Sequence, residues 1–196
     1  MQNHYEAVVI GVSAGGFRAL HTLLSELPDH FTLPVMIVQH RKASAENYLV
    51  TSLNKNCRLL VKEADEKEKI TSGTVYLAPG DYHLLVEKDK TLSLSIDEPV
   101  CYSRPSIDVL FETAAATYQA GLIGIILTGA NSDGSAGIRS IKAGGGLTIS
   151  QHPETAEADT MPLAAIATKA VDYILTLQEI SPFLNDLLEQ SHETKE

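Results

Sequence analysis

The chain has little of several features that mark whole classes of protein. Only two of its 196 residues are cysteines, Cys57 and Cys101, and they stand apart, so neither a disulfide framework nor a C-x-x-C metal motif is present. Basic residues are outnumbered, with 15 Lys and Arg against 25 Asp and Glu and a net charge of −10. Because a nucleic-acid-binding protein needs a basic face that displaces counterions, we exclude that class.

Long apolar segments are also missing. No apolar run approaches the length of a membrane span, and residues 1–6 lack the basic and apolar regions of a signal peptide. We therefore predict a cytoplasmic protein with no direct insertion into a membrane. The composition, 44% hydrophobic and 20% charged, is typical of a globular protein. We find no linker and no internal repeat, and predict a single domain over residues 1–196.

Short apolar runs alternate with helical patterns along most of the chain. This alternation predicts an α/β fold with one doubly wound, mostly parallel sheet. The predicted strands cover residues 6–10, 34–38, 58–62, 122–127, 147–150 and 171–175. The predicted helices cover residues 17–27, 44–53 (capped by Ser44), 106–120, 137–143, 162–167 and 180–190. Residues 73–80, 82–87 and 91–96 instead predict antiparallel strands, so we expect an inserted β-hairpin or meander around residues 73–96.

Three of the predicted strands end at residues that can perform acid–base or nucleophilic chemistry. Ser13 follows the first strand, His40 follows the second, and Asp133 follows the run at 122–127. Because the carboxyl ends of parallel strands share the edge of an open α/β sheet where ligands bind, we expect these side chains to meet. A serine, a histidine and an aspartate brought together are the parts of a serine hydrolase.

The segment Gly11–Gly15 matches the G-x-S-x-G pattern of a nucleophile turn. The pattern alone is equally compatible with a structural turn or with a phosphate-binding helix start. A nucleotide-binding fold is disfavoured, because the third glycine-fingerprint position is Ser13 and the Gly-Lys-Ser/Thr of a Walker loop is absent. The α/β-hydrolase fold is not expected either, since its catalytic residues follow the order Ser, Asp, His.

Other residues of the same types are weaker candidates. Asp81 lies in a predicted turn and Asp108 in the first turn of a predicted helix, so local structure accounts for both. The other six histidines are weaker candidates as well: His4, His30 and His192 lie in polar ends or turns, His21 on a helix, His83 at the start of an inserted strand and His152 in a loop. No clustered ligand motif appears, so we predict neither a metal site nor a cofactor.

Separated blocks of the sequence also resemble, in order, the catalytic domain of CheB-type protein-glutamate methylesterases. The matching blocks, spread from about residue 6 to residue 180, are Ile10–Gly16, Gln39-His40, Glu63-Ala64, Leu77–Gly80 with His83, Arg104–Phe111, Leu127–Gly129 with Asp133-Gly134, Ala143-Gly144, Gln151, and Met161-Pro162 with Ala165. The resemblance implies hydrolysis of glutamate γ-methyl esters on chemoreceptors and deamidation of particular receptor glutamines. It also implies Ser13 as nucleophile, His40 as base and Asp133 as the partner of the base.

The chain departs from the family's usual pattern close to these three residues. Ala14 stands where Thr or Ser is usual, Arg41 replaces Met, Ala130-Asn131 replaces Met-Gly, and Thr160 replaces Gly. The alternative to an esterase is therefore a catalytically weak or inactive docking module on the same fold.

The surroundings of the three residues are expected to bind the oxyanion and the substrate. The candidates are Ala14, Gly15, Ala130, Arg41, Arg104 and Met161. We also expect a basic rim that attracts a glutamate-rich receptor helix, formed by Arg18, Arg41, Lys42, Arg104 and Arg139. Family members commonly carry an amino-terminal receiver domain, and a first strand near residue 6 predicts that none precedes it here. The expected partners are a methylated chemoreceptor-like protein and, for control, a separate receiver or kinase protein.

Overall fold

A computed structural model describes residues 4–41 and 48–193. The strands are β1 Ala7–Val12, β2 Val35–Gln39, β3 Leu60–Glu63, β4 Thr74–Leu77, β5 His83–Val86, β6 Leu92–Ser95, β7 Leu122–Ile126, β8 Leu147–Gln151 and β9 Tyr173–Leu175. The helices are α1 Gly16–Glu26, α2 Tyr48–Asn56, α3 Ile107–Tyr118, α4 Ser135–Ala143, α5 Thr160–Ala167 and α6 Leu177–Glu193, with short 3₁₀ turns at Gln119–Gly121 and Pro153–Thr155. The predicted helix cap, Ser44, lies outside the described residues.

Seven strands form one parallel sheet in the order β3-β4-β2-β1-β7-β8-β9. The sheet is covered on both faces, which is why all six residues of β1 are buried. Side chains alternate along the strand, so Val8 and Ile10 join one core cluster and Ala7 and Val9 join the other. The first cluster includes side chains of α1, α2 and α6, and the second includes side chains of α3, α4 and α5. The predicted doubly wound α/β fold is confirmed.

The inserted antiparallel unit is smaller than the sequence predicts. β5 and β6 pair antiparallel as a two-stranded hairpin, which confirms an insertion within the predicted region. The segment at Thr74–Leu77 is a parallel strand of the main sheet instead, paired with β2 and β3. All four of its residues are buried, as in a central parallel strand. Glycines at both ends of this run, Gly73 and Gly80, resemble hairpin punctuation and explain the wrong assignment.

Strand β1 lies between β2 and β7, so the chain leaves β1 towards one side of the sheet and later returns on the other. This is a topological switch point, where the loops at the carboxyl ends of neighbouring strands leave a crevice. Ser13 follows β1, His40 follows β2, and Asp133 lies in the loop after β7. Among the described helices, none combines the length and the apolar character needed to cross a membrane.

Candidate active site

Ser13, His40 and Asp133 form one hydrogen-bonded row at the switch point. Ser13 Oγ lies 3.2 Å from His40 Nδ1, and His40 Nε2 lies 2.7 Å from Asp133 Oδ2. The side chain of His40 is 11% exposed and that of Asp133 is fully buried. The carboxylate accepts the Nε2 proton, which leaves the lone pair of Nδ1 free for the serine proton. The two ring nitrogens therefore have the opposite roles to those in chymotrypsin-type proteases, where Nε2 faces the serine.

The carboxylate of Asp133 is held by the amino terminus of α3. Its Oδ1 accepts from Ser106 Oγ at 2.9 Å and from Asp108 N at 3.0 Å, and its Oδ2 accepts from Ile107 N at 2.7 Å. Burial alone would raise the pKa of this carboxyl. The hydrogen bonds from His40, Ile107 and Asp108, together with the nearby imidazole charge, outweigh burial and keep the pKa below its ordinary value. Asp133 is therefore an anion that both orients His40 and caps a helix.

Asp108 performs the reciprocal task. This buried residue of α3 accepts a hydrogen bond from Gly137 N, in the first turn of α4, at 2.7 Å. The two helices thus exchange caps, since the loop before α4 supplies Asp133 to α3. Burial raises the pKa of Asp108, the helix hydrogen bonds lower it, and the negative charge of Asp133 raises it again, with a net upward direction. Asp108 is a helix-capping residue and does not contact His40 in place of Asp133.

The turn that carries Ser13 is fixed by a left-handed glycine. Gly15 has φ 76°, and a Cβ at this position would lie 2.7 Å from Glu157 Cβ. Only glycine fits both conditions. The left-handed residue is not the serine, so the turn differs in backbone geometry from the strained serine turn that the G-x-S-x-G pattern suggests.

Two backbone N–H groups beside Ser13 are free to stabilise an oxyanion. Among the described residues, none accepts a hydrogen bond from Ala14 N or Gly15 N. The backbone carbonyls of the same turn are held instead, because Gln39 Nε2 donates to Ser13 O at 2.9 Å and Thr128 Oγ1 donates to Ala14 O at 2.8 Å. Hydrogen bonds to its carbonyl oxygens therefore hold the turn in place and leave its N–H groups available to a ligand.

Sequence reasoning did not assign roles to Gln39, Thr128 or His83. Gln39 and Thr128 are polar residues at the ends of buried strands, and this position in the sequence could have identified them as site residues. His83 is buried, accepts from Ser106 N on Nδ1 at 3.1 Å, and donates from Nε2 to Glu98 O at 3.2 Å. It links the β5–β6 hairpin to Ser106, the residue that directly precedes α3.

Asn131 contacts His40 directly. Its Nδ2 lies 3.4 Å from His40 Nδ1, and its Oδ1 accepts a hydrogen bond from Asp133 N at 3.2 Å. The neighbouring Ala130 is exposed, and none of the described residues accepts a hydrogen bond from its backbone N–H. Ala130 therefore remains a candidate for a further oxyanion donor, beside Ala14 and Gly15.

The structure gives two of the predicted substrate-binding residues other positions. Arg41 is only 8% exposed, pairs with Glu63 and donates to Ala78 O at 3.1 Å, so its charge is turned inward. It belongs to the wall of the site and not to an exposed basic rim. Met161 is fully buried and packs against Gly129, whose added Cβ would lie 2.6 Å from Met161 Cε. Its contribution is to support the loop that follows β7.

Of the other predicted basic residues, Arg104 and Arg18 line depressions at the site. Arg104 donates to Ile96 O at 2.8 Å and to Asp97 O at 3.0 Å, and it lines a depression next to His40. Arg18 lines the larger pocket described next, Arg139 is exposed on α4, and Lys42 lies outside the described residues.

A pocket of about 760 Å³ opens beside Ser13. Its wall includes Ser13, Arg18, Phe17 and Tyr48. The two aromatic rings are stacked with centroids 5.8 Å apart, and both side chains are exposed. The pocket wall thus combines apolar rings with charged side chains of both signs, Arg18 and Arg41 against Glu157.

Three residues of kinds that can bind metal ions lie close together near the site, but their surroundings do not suit a metal ion. Ligand atoms of Cys101, Asp108 and Asp133 lie within 4.8 Å of one another. Both carboxylates already accept helix N–H groups. Burial raises the pKa of the Cys101 thiol, and the charges of the two aspartates raise it further, so the thiolate form is disfavoured. We assign no metal to this cluster.

Comparison with known proteins agrees with the geometry. The model of the CheB methylesterase family matches residues 8–184. A protein of Leptospira interrogans is 56% identical over 178 residues, which cover 91% of this chain and 92% of the relative. A Geobacillus kaustophilus protein-glutamate methylesterase/protein-glutamine glutaminase is 40% identical over 185 residues, but the match covers only 53% of its length.

A solved structure gives the same fold. The crystal structure of the Thermotoga maritima CheB methylesterase catalytic domain superimposes with a TM-score of 0.90 at 34% identity, covering 93% of this chain and 98% of that domain. Agreement in sequence and in fold leads to one conclusion: the chain belongs to the CheB methylesterase family.

Proposed function

We propose that this chain is a serine hydrolase that removes the γ-methyl ester from glutamate side chains of a chemoreceptor-like protein. The observation that carries the proposal is the row Ser13–His40–Asp133, with contacts of 3.2 Å and 2.7 Å beside an open pocket. Relatives named for both ester hydrolysis and glutamine deamidation support the same chemistry, so deamidation is the second expected reaction.

The reaction follows from the positions of the three side chains. Ser13 Oγ attacks the ester carbonyl carbon while its proton moves to His40 Nδ1. The carbonyl oxygen becomes an oxyanion, for which the N–H groups of Ala14 and Gly15 are the proposed donors and that of Ala130 the third candidate. Nδ1 then gives its proton to the methoxy oxygen, and methanol leaves.

The second half restores the enzyme. Water attacks the acyl group on Ser13, and His40 Nδ1 takes one proton from this water. The bond from the acyl carbon to Ser13 Oγ breaks, Oγ takes the proton back from Nδ1, and the glutamate carboxyl group is released. Throughout, the Asp133 carboxylate stabilises the imidazolium, and its buried, helix-capped position prevents it from moving away.

The proposed protein substrate is a methylated, glutamate-rich receptor helix. The pocket wall of Phe17 and Tyr48 offers apolar contact, and Arg18 offers a cation for the neighbouring carboxylates. A separate receiver or kinase protein is the proposed source of control.

The decisive experiment measures methanol release from a methylated receptor helix by wild type and by Ser13→Ala. We expect the variant to lose roughly 10³-fold or more in turnover, as for the removal of a triad nucleophile in other hydrolases. An unchanged rate in a Ser13→Ala preparation free of wild-type enzyme would exclude the proposed reaction. Tight binding of the receptor helix by wild type without any turnover would support the docking module instead.

A further inference from the structure

Asn131 and the nucleophile share one acceptor. Asn131 Nδ2 is 3.4 Å and Ser13 Oγ is 3.2 Å from His40 Nδ1. The orientation of the asparagine amide is fixed, since its Oδ1 must face the backbone N–H of Asp133, at 3.2 Å. The NH₂ group therefore points at His40. In the resting enzyme two donors thus compete for the single lone pair of Nδ1.

This competition ends when the reaction begins. Once the proton of Ser13 has moved to His40 Nδ1, that nitrogen has no lone pair left for Asn131. The amide of Asn131 must then find another acceptor. The leaving-group atom has to lie within hydrogen-bond reach of Nδ1 to receive its proton, so this atom is the nearest new acceptor for the neighbouring NH₂ group.

Esters and amides differ in what their leaving atom can accept. In ester cleavage the carbon–oxygen bond breaks, the methoxy oxygen takes the Nδ1 proton, and methanol leaves. That oxygen has two lone pairs in the tetrahedral intermediate, one for the Nδ1 proton and one for Asn131. In amide cleavage the carbon–nitrogen bond breaks and ammonia leaves, but the nitrogen has a single lone pair, which the Nδ1 proton occupies. Its own N–H groups then face the NH₂ group of Asn131, and neither group offers the other an acceptor.

We propose that Asn131 is a specificity-determining residue that makes this chain favour ester over amide hydrolysis, and so demethylation over deamidation. The inference rests on the proposed function and goes beyond it by ranking the two reactions. A site that offers a donor an acceptor with one substrate and none with the other discriminates against the second substrate, and Asn131 is partly buried, which limits its access to water. The CheB-type pattern usually has glycine at this position, which offers no side-chain donor.

The experiment compares two matched substrates, one receptor helix with glutamate γ-methyl ester and the same helix with glutamine at that position. The ratio of kcat/KM for ester to kcat/KM for amide is measured for wild type and for Asn131→Gly. Removing one unpaired donor should lower this ratio on the order of tenfold. Asn131→Asp replaces the NH₂ group by an oxygen of similar position, which can accept from the leaving nitrogen, so it should lower the ratio further. The exposed neighbour Ser132, as Ser132→Gly, is the matched control for loop flexibility and should keep the wild-type ratio.

The outcomes separate the inference from the proposed function. General damage to the site, or loss of an oxyanion donor, would slow both reactions and leave the ratio unchanged. The inference fails if Asn131→Gly has the same ester-to-amide ratio as wild type, or if no variant deamidates the glutamine helix. In either case, ester hydrolysis by wild type would still support the proposed function. If wild type hydrolyses neither substrate, the proposed function itself fails.

Discussion

Replacing Asp133 by asparagine should damage the fold as well as the reaction. The Asp133 carboxylate accepts four hydrogen bonds and donates none. Oδ1 accepts from Ser106 Oγ and Asp108 N, and Oδ2 accepts from Ile107 N and His40 Nε2. An NH₂ group at either position faces a backbone N–H that cannot change its role. The less costly orientation puts NH₂ at the Oδ1 position, because the Ser106 hydroxyl can rotate to accept, and only Asp108 N is left unpaired.

The size of the loss follows from these contacts. One buried unpaired donor costs about 1–3 kcal/mol, and removing a carboxylate from a helix amino terminus costs about 0.3–2 kcal/mol more. A total of about 1–5 kcal/mol corresponds to a decrease in Tm on the order of 10 °C for a domain of this size. Thermal unfolding at pH 7 tests this, with Ser13→Ala as the matched control that loses activity and keeps its Tm. An Asp133→Asn protein that is inactive yet unfolds at the wild-type temperature would refute the capping role.

Three further predictions concern pH, backbone and charge. Because its hydrogen bonds outweigh burial and hold the pKa of Asp133 below the ordinary 3.8, this carboxylate stabilises the fold above that pH, and the contribution is lost as the pH falls towards the lower folded value. The free energy of unfolding of Asp133→Asn should thus decrease less between about pH 5 and pH 3 than that of wild type, by urea titration. Gly15→Ala should lower both Tm and turnover, since φ is 76° and the new Cβ would lie 2.7 Å from a side-chain carbon; an unaffected variant would contradict the fixed turn. Arg41→Glu should impair hydrolysis of a small ester and of the receptor helix alike, because it places a second carboxylate beside Glu63. Arg18→Glu should raise KM only for the receptor helix, because Arg18 lines the pocket proposed to bind it. If both variants affect both substrates equally, Arg41 and Arg18 do not have these separate roles.

The fold was largely predictable because buried parallel strands are read from uninterrupted apolar runs. In a chain that alternates strands and helices, the short apolar segments Val8 to Ile10 and Ile123 to Ile126 indicate buried strands. The strand at Thr74–Leu77 was predicted with the wrong pairing, since the same four residues suit a hairpin arm and a central strand. A hairpin arm and a central strand differ only in the strands they pair with, here β2 and β3. Local sequence does not show which distant strand a segment pairs with.

The site divides along similar lines. The meeting of Ser13, His40 and Asp133 followed from topology, because strand ends share an edge. The direction of a long side chain does not follow from topology. Arg41 looked like a rim cation from its place after His40, and it turns inward because Glu63, from a strand two positions away in the sheet, offers a partner there. The contact from Asn131 to His40 was hidden for the same reason.

The turn between β5 and β6, at residues 88–90, divides the site between two halves of the chain. Ser13 and His40 come before this exposed turn, and Asp133 comes after it. Neither half alone contains all three residues of the proposed reactive centre, and the second half must place β7 between β1 and β8 before the three can meet. A chain cut at this turn would therefore regain hydrolysis only when its two fragments reassociate, so the release of methanol would report the joining of two polypeptides. During synthesis, in the same way, the growing chain stays inert until the loop after β7 has left the ribosome.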